Sequence, residues 1–109
     1  MLRRLGASEH RVLIVKTNLS ITYQLLGRCE EAMLLQKDVY SGRLKLDGEE
    51  HRLTLTAANN YASILVNLRH FEDATSLPRQ TIPVARRVLG ETCELTLRML
   101  TTYTAGLCS

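Results

Sequence analysis

The chain has 109 residues, enough for one domain with a small core. Apolar residues at 45% and charged residues at 23% describe an ordinary soluble globular composition, and with one Phe, four Tyr and no Trp the packing falls to leucine and alanine. The net charge of +3 is spread among acidic residues without a basic stripe, which argues against a nucleic-acid partner.

Residues 1–6 read as the closing turn of a helix, because Arg3-Arg4-Leu5-Gly6 copies Arg87-Val88-Leu89-Gly90, and a glycine after a basic, apolar turn suits a helix end. No long apolar run follows Met1, so neither a signal peptide nor a membrane span is expected, and the chain is assigned to the cytoplasm. From about 8 to 26, Val12, Val15, Leu19, Ile21, Tyr23 and Leu26 recur at three- and four-residue steps, predicting a helix that packs on more than one side and stops at Gly27. A second helix, about 29–46, carries Ala32, Leu35, Val39 and Tyr40 on one stripe, with Glu30 and Glu31 at its positive end. So short a turn makes the two an antiparallel hairpin.

A second hairpin follows, about 50–68 and 71–89, with Arg69 where the first has Gly27 and Asn67 near enough to act as a stop. Pro78 and Pro83 fall inside its second helix, where each removes an N–H and clashes with the preceding turn, so a kink or break is expected near Leu77 or Ile82. A fifth helix, about 92–107, bears Leu97, Leu100, Tyr103 and Leu107 along one side, an apolar surface through which the chain is expected to self-associate.

One interval connects these elements. Gly6, Gly48 and Gly90 are 42 apart, as are Leu13, Leu55 and Leu97, and Leu19, Tyr61 and Tyr103, while Asn18/Asn60 and Ala32/Ala74 keep the same offset. Such a period marks an array whose units bury their apolar faces against one another, here with units of about 7–48, 49–90 and a partial 91–109. Cys29, Cys93 and Cys108 show no paired spacing, and His10, His51 and His70 no metal-ligand spacing; they read as ordinary thiols in a reducing compartment, with no metal or cofactor. No nucleophile–base arrangement and no glycine-rich phosphate loop is present, which argues against an enzyme; Cys29 has Arg28 and Glu30 beside it but no histidine placed near.

The stretch Gly48-Glu49-Glu50-His51, then Thr54-Leu55, then Asn59-Asn60-Tyr61-Ala62 resembles the signature of the 42-residue tetratricopeptide repeats of kinesin light chains and their relatives. Gly27-Arg28-Cys29-Glu30-Glu31-Ala32, Phe71-Glu72-Asp73-Ala74 and Ala85-Arg86-Arg87-Val88-Leu89-Gly90 continue the match. The chain departs from the family pattern at the missing prolines after the glycine and the histidine, at Pro78 and Pro83, and at Thr101-Thr102 in place of the asparagine pair. The resemblance implies an all-α fold of five helices in about two and a half hairpin repeats, a short right-handed solenoid whose first helices line a concave groove. It then implies a protein–protein interaction module, an adaptor or scaffold holding a peptide against Thr17, Asn18, Ile21, Thr56, Asn59, Asn60, Ser63, Asn67 and Arg98, with Thr101 and Thr102 beside them. An asparagine amide can pair with both halves of a peptide unit, and Arg98 can meet a carboxylate. Two alternatives stand open: Asn60 and Asn18 can instead bond the neighbouring helix, and the whole segment can be a structural stretch of a longer helical-repeat protein without its own ligand.

Overall fold

The computed structural model describes the backbone of residues 2–107 and the side chains of 8–107; Cys108 lies outside the described residues. Five helices follow in order: α1 (Leu2–Leu25), α2 (Cys29–Asp47), α3 (Arg52–Asn67), α4 (Phe71–Leu89) and α5 (Glu94–Leu107). Each packs on the next, and α3 also touches α5, while α1 and α3 come together over α2 at Leu13, Val39 and Ala57. The molecule measures 47 × 35 × 20 Å, its shortest side two helix diameters thick.

The 42-residue interval is legible in the turns. After α1, Gly27 (φ 78°) sends its N–H to Gln24 O, and Arg28 N–H reaches Tyr23 O at 2.8 Å. After α3, Arg69 (φ 63°) bonds Val66 O, and His70 N–H reaches Leu65 O at 2.9 Å. Both are the paired closure in which a left-handed residue turns the chain out of a helix. Arg69 therefore performs the glycine's task, and Asn67 is the last helical residue, not the stop. Gly48 (φ 86°, ψ 167°) and Gly90 (φ 95°, ψ 156°) end α2 and α4 in a region that side chains essentially exclude. Three residues beyond them, His51 and Cys93 each bond back to the glycine carbonyl and open the next helix.

Two expectations are corrected. α1 runs unbroken through Gly6, which costs about 1 kcal/mol relative to alanine inside a helix but does not end it without a left-handed dihedral. α4 is not broken at Pro78 or Pro83 and stays helical from Phe71 to Leu89, which corrects the expected break. Each proline deletes one bond, to Ala74 O and Arg79 O, while Ala74, Pro78, Thr81, Ile82 and Ala85 are buried along a single stripe, and that burial outweighs the two missing bonds.

The larger core cluster joins Leu55, Ile82, Ala85, Leu95 and Met99 between α3, α4 and α5; a smaller one joins Leu13, Val39 and Ala57 between α1, α2 and α3. Leu100 and Tyr103 pack against the larger cluster, whereas Leu97 and Leu107 are exposed, so the apolar side of α5 is divided rather than free as a whole. The heavier exposed apolar load lies on α1, at Val12, Val15, Leu19 and Ile21. Gly42 lets α1 approach α2 closely: a Cβ there would stand 2.6 Å from a Leu13 methyl.

Candidate functional site

Two seams, one where α1 and α3 meet over α2 and one between α3 and α5, each hold a recess. The first, about 150 Å³, lies between α1 and α3 over α2, with Thr17 and Asn18 from α1, Thr56 and Asn60 from α3, and Gln36 and Arg43 from α2. The second, about 400 Å³, lies between α3 and α5, with Asn59 facing Glu94, Leu97, Arg98, Thr101 and Thr102. Consecutive residues on a helix point about 100° apart, so the adjacent pair Asn59-Asn60 gives one amide to each seam. Ile21 is exposed, Ser63 half-buried and Asn67 exposed at the end of α3; none of the three lines either recess.

The polar chemistry differs between the two. Asn59 Oδ1 is buried and has no hydrogen-bond partner among the described residues, and neither does the Gln36 amide nitrogen. Arg98 already holds Glu94 at 2.6 Å, an exposed pair worth at most about 1 kcal/mol, which a ligand carboxylate can replace. Arg43 is almost fully buried, and one guanidinium nitrogen, Nη1, meets both Asp47 Oδ2 at 3.1 Å and His10 Nδ1 at 2.7 Å. The threonine hydroxyls turn inward: Thr17 donates to Leu13 O, Thr56 to Arg52 O, Thr101 to Leu97 O and Thr102 to Arg98 O, each the carbonyl one helical turn back.

Sequence reasoning missed Gln36 and Arg43. The signal was present, since both continue the Ala32–Val39 stripe at four-residue steps, where a polar side chain must either be satisfied or face a cavity.

At the other end of the α3–α5 pair, His51 Nδ1 accepts the Leu53 N–H at 3.0 Å and caps α3. Cys93 caps α5, and its thiol is held below the usual range by the Leu95 amide first and by Arg52 next, whose guanidinium lies 3.6 Å away. Among the described residues no group of three or more His, Cys, Asp or Glu could hold a metal, and no helix is long and apolar enough to cross a membrane.

The tetratricopeptide-repeat family model matches residues 12–53 and 54–92. Repeats of that family are in general protein–protein interaction modules and typically non-enzymatic. Neither a search of curated proteins nor one of solved structures returned a match. The two matched segments span most of the 109 residues and meet end to end with the period read from the glycines, and the chain therefore belongs to the tetratricopeptide-repeat family, in its kinesin-light-chain-like class.

Proposed function

We propose that the chain is an adaptor or scaffold module that holds an extended peptide across α1, α3 and α5, with repeat units of about 7–48, 49–90 and 91–109. The reading is carried by the adjacent Asn59 and Asn60, whose amides serve the two neighbouring recesses. Helices in contact lie 8–10 Å apart, and an extended chain advances about 3.3 Å per residue, so contacts in the two seams fall about three peptide residues apart. Thr17, Asn18 and Thr56 flank the first contact and Arg98 the second; Ile21, Ser63 and Asn67 would extend the groove toward the α1–α2 and α3–α4 turns. The free thiols Cys29 and Cys93 fit a cytoplasmic setting.

A positional-scanning library of unstructured ten-residue peptides tests this. The chain retains a subset, and Asn60→Ala weakens the retained peptides by about 1–3 kcal/mol while leaving the melting temperature unchanged, as expected for a lost peptide hydrogen bond. Unchanged affinity would reassign Asn60 to a role between helices, and an unretained library would favour a purely structural stretch of helical repeat.

A further inference from the structure

One face is covered on α3 and α5 and open on α1. On α3, Thr54 and Ala57 are 1% and 3% exposed, and their counterparts on α5, Thr96 and Met99, are 0% and 1% exposed. Each stripe lies against the second helix of the preceding unit: Thr54 Oγ1 donates to Arg43 O of α2, and Met99 packs with Ile82 and Ala85 of α4. The counterparts on α1 are Val12 and Val15, which are 50% and 62% exposed and are followed by Leu19 at 40%.

The open stripe also differs in composition from the two covered ones. Threonine at the first place is replaced by valine, and the place beside it, held by buried Ala58 on α3 and by Leu100 against the core on α5, is Lys16. A helix seated on α1 as α2 is seated on α3 would bury the Lys16 ammonium, which is costly. Ser8, Val12, Val15, Leu19 and Thr22 instead alternate steps of four and three residues, the spacing of a seam between two helices. That seam is narrower. It leaves Lys16 at its edge, with Glu9 on the same flank and Arg11 and Asn18 on the other.

The charges on these flanks select the occupant and its direction. The recess beside the stripe carries Glu9, Lys16, Asp38 and Lys45, two charges of each sign, as a surface that meets its own copy requires. Lys16 is held only by an exposed pair with Asp38 at 3.7 Å, which leaves it available. In a parallel pair of α1 helices Arg11 would meet the second copy's Lys16, like against like. In an antiparallel pair with Val12 opposite the second copy's Val15, Glu9 meets the second copy's Lys16, and the symmetry makes that contact twice. We propose that the outer face of α1 is a dimer interface, on which a second copy of this chain pairs antiparallel along residues 8–22. The paired stretch is about 21 Å long, which is short for an obligate interface and suits a reversible dimer formed at high concentration. Ile14 and Ile21 lie on another face of α1, so pairing leaves the proposed groove of each copy open.

Sedimentation equilibrium tests this on the full chain carrying Leu107→Glu, which removes the exposed leucine of α5 from the comparison. The mass rises with concentration and stops at two copies. Glu9→Lys and Lys16→Glu, each added to that chain, weaken the dimer by about tenfold, because either exchange sets like charges together at both contacts. An equimolar mixture of the two variants restores it, since every contact between unlike copies is again of opposite sign. A monomer at all concentrations overturns the proposal, as does a dimer indifferent to both exchanges. A dimer tightened by Lys16→Glu marks the parallel pair and overturns it too, and so does a mixture no tighter than its components. None of these results bears on the groove reading, which concerns another face of the helix.

Discussion

Replacing Arg69 with glycine should stabilise the protein. Arg69 sits at φ 63° in the α3–α4 turn, where the α1–α2 turn has Gly27 at φ 78°. A residue with a Cβ pays roughly 1–2 kcal/mol in that left-handed region relative to glycine. Glycine returns part of this, about 0.4–1 kcal/mol, through the greater freedom of its unfolded chain. The Arg69 side chain is exposed and makes no hydrogen bond or ion pair with a described residue, so its removal subtracts little. The balance is a gain of about 0.5–1 kcal/mol, or roughly 2–8 °C in melting temperature for a chain near this size. Gly27→Ala is the mirror experiment: nothing lies within 4 Å of the added Cβ, so its loss of about 1 kcal/mol reports the dihedral cost less the unfolded-chain gain, with no packing contribution. Urea titration followed by circular dichroism separates the outcomes, since a midpoint shift at constant slope marks a change in folded-state stability. An unchanged or lower midpoint for Arg69→Gly would refute the assignment of a strained turn.

Pro83 is exposed within α4, so Pro83→Ala restores a donor to Arg79 O without opening a cavity and should add about 1–3 kcal/mol of stability by the same titration; a loss would mean that the helix relies on its proline. The Cys93 thiol, lowered by the Leu95 amide and by Arg52, should alkylate with a pH midpoint below that of the urea-unfolded chain, and Arg52→Ala should move the midpoint only part of the way back. A depressed folded-state value stabilises the fold above the unfolded thiol's pKa, and that contribution is lost as pH falls through the folded value; identical folded and unfolded midpoints would remove it. Exposed Val15, Leu19, Leu97 and Leu107 should drive self-association, so sedimentation at rising concentration should show a mass increase that Val15→Glu with Leu19→Glu reduces, whereas a wild-type monomer throughout would contradict it.

The helices and their order were open to sequence reasoning because apolar spacing and turn glycines act locally, and the 42-residue interval repeats the same local decisions. Where two local rules conflicted, the sequence misled. The two prolines each carry a breaking tendency of about 3 kcal/mol, which is set against the buried stripe of α4, and burial is decided by helices distant in sequence. The asparagine pair was found by its signature, but its division between two seams depends on the angle at which α3 meets α1 and α5. Gln36 stayed hidden for the opposite reason: it lies on the stripe that defines the helix as packed, so its polarity became informative only once the cavity beside it was visible.

The inward-turned threonines would give the proposed groove a directional polarity. A hydroxyl has one proton to donate, and at Thr17, Thr56, Thr101 and Thr102 that proton is committed to a carbonyl one turn back, so each oxygen meets the groove with lone pairs only. Donation to a ligand then falls to the amides, and acceptance is shared widely. On the proposed reading, a peptide backbone with its N–H groups intact would find many partners along this surface, whereas one whose nitrogens are methylated would lose them all at once. A scan of singly N-methylated peptides would accordingly map the groove more sharply than a scan of side chains, with the steepest losses at residues that cross a threonine.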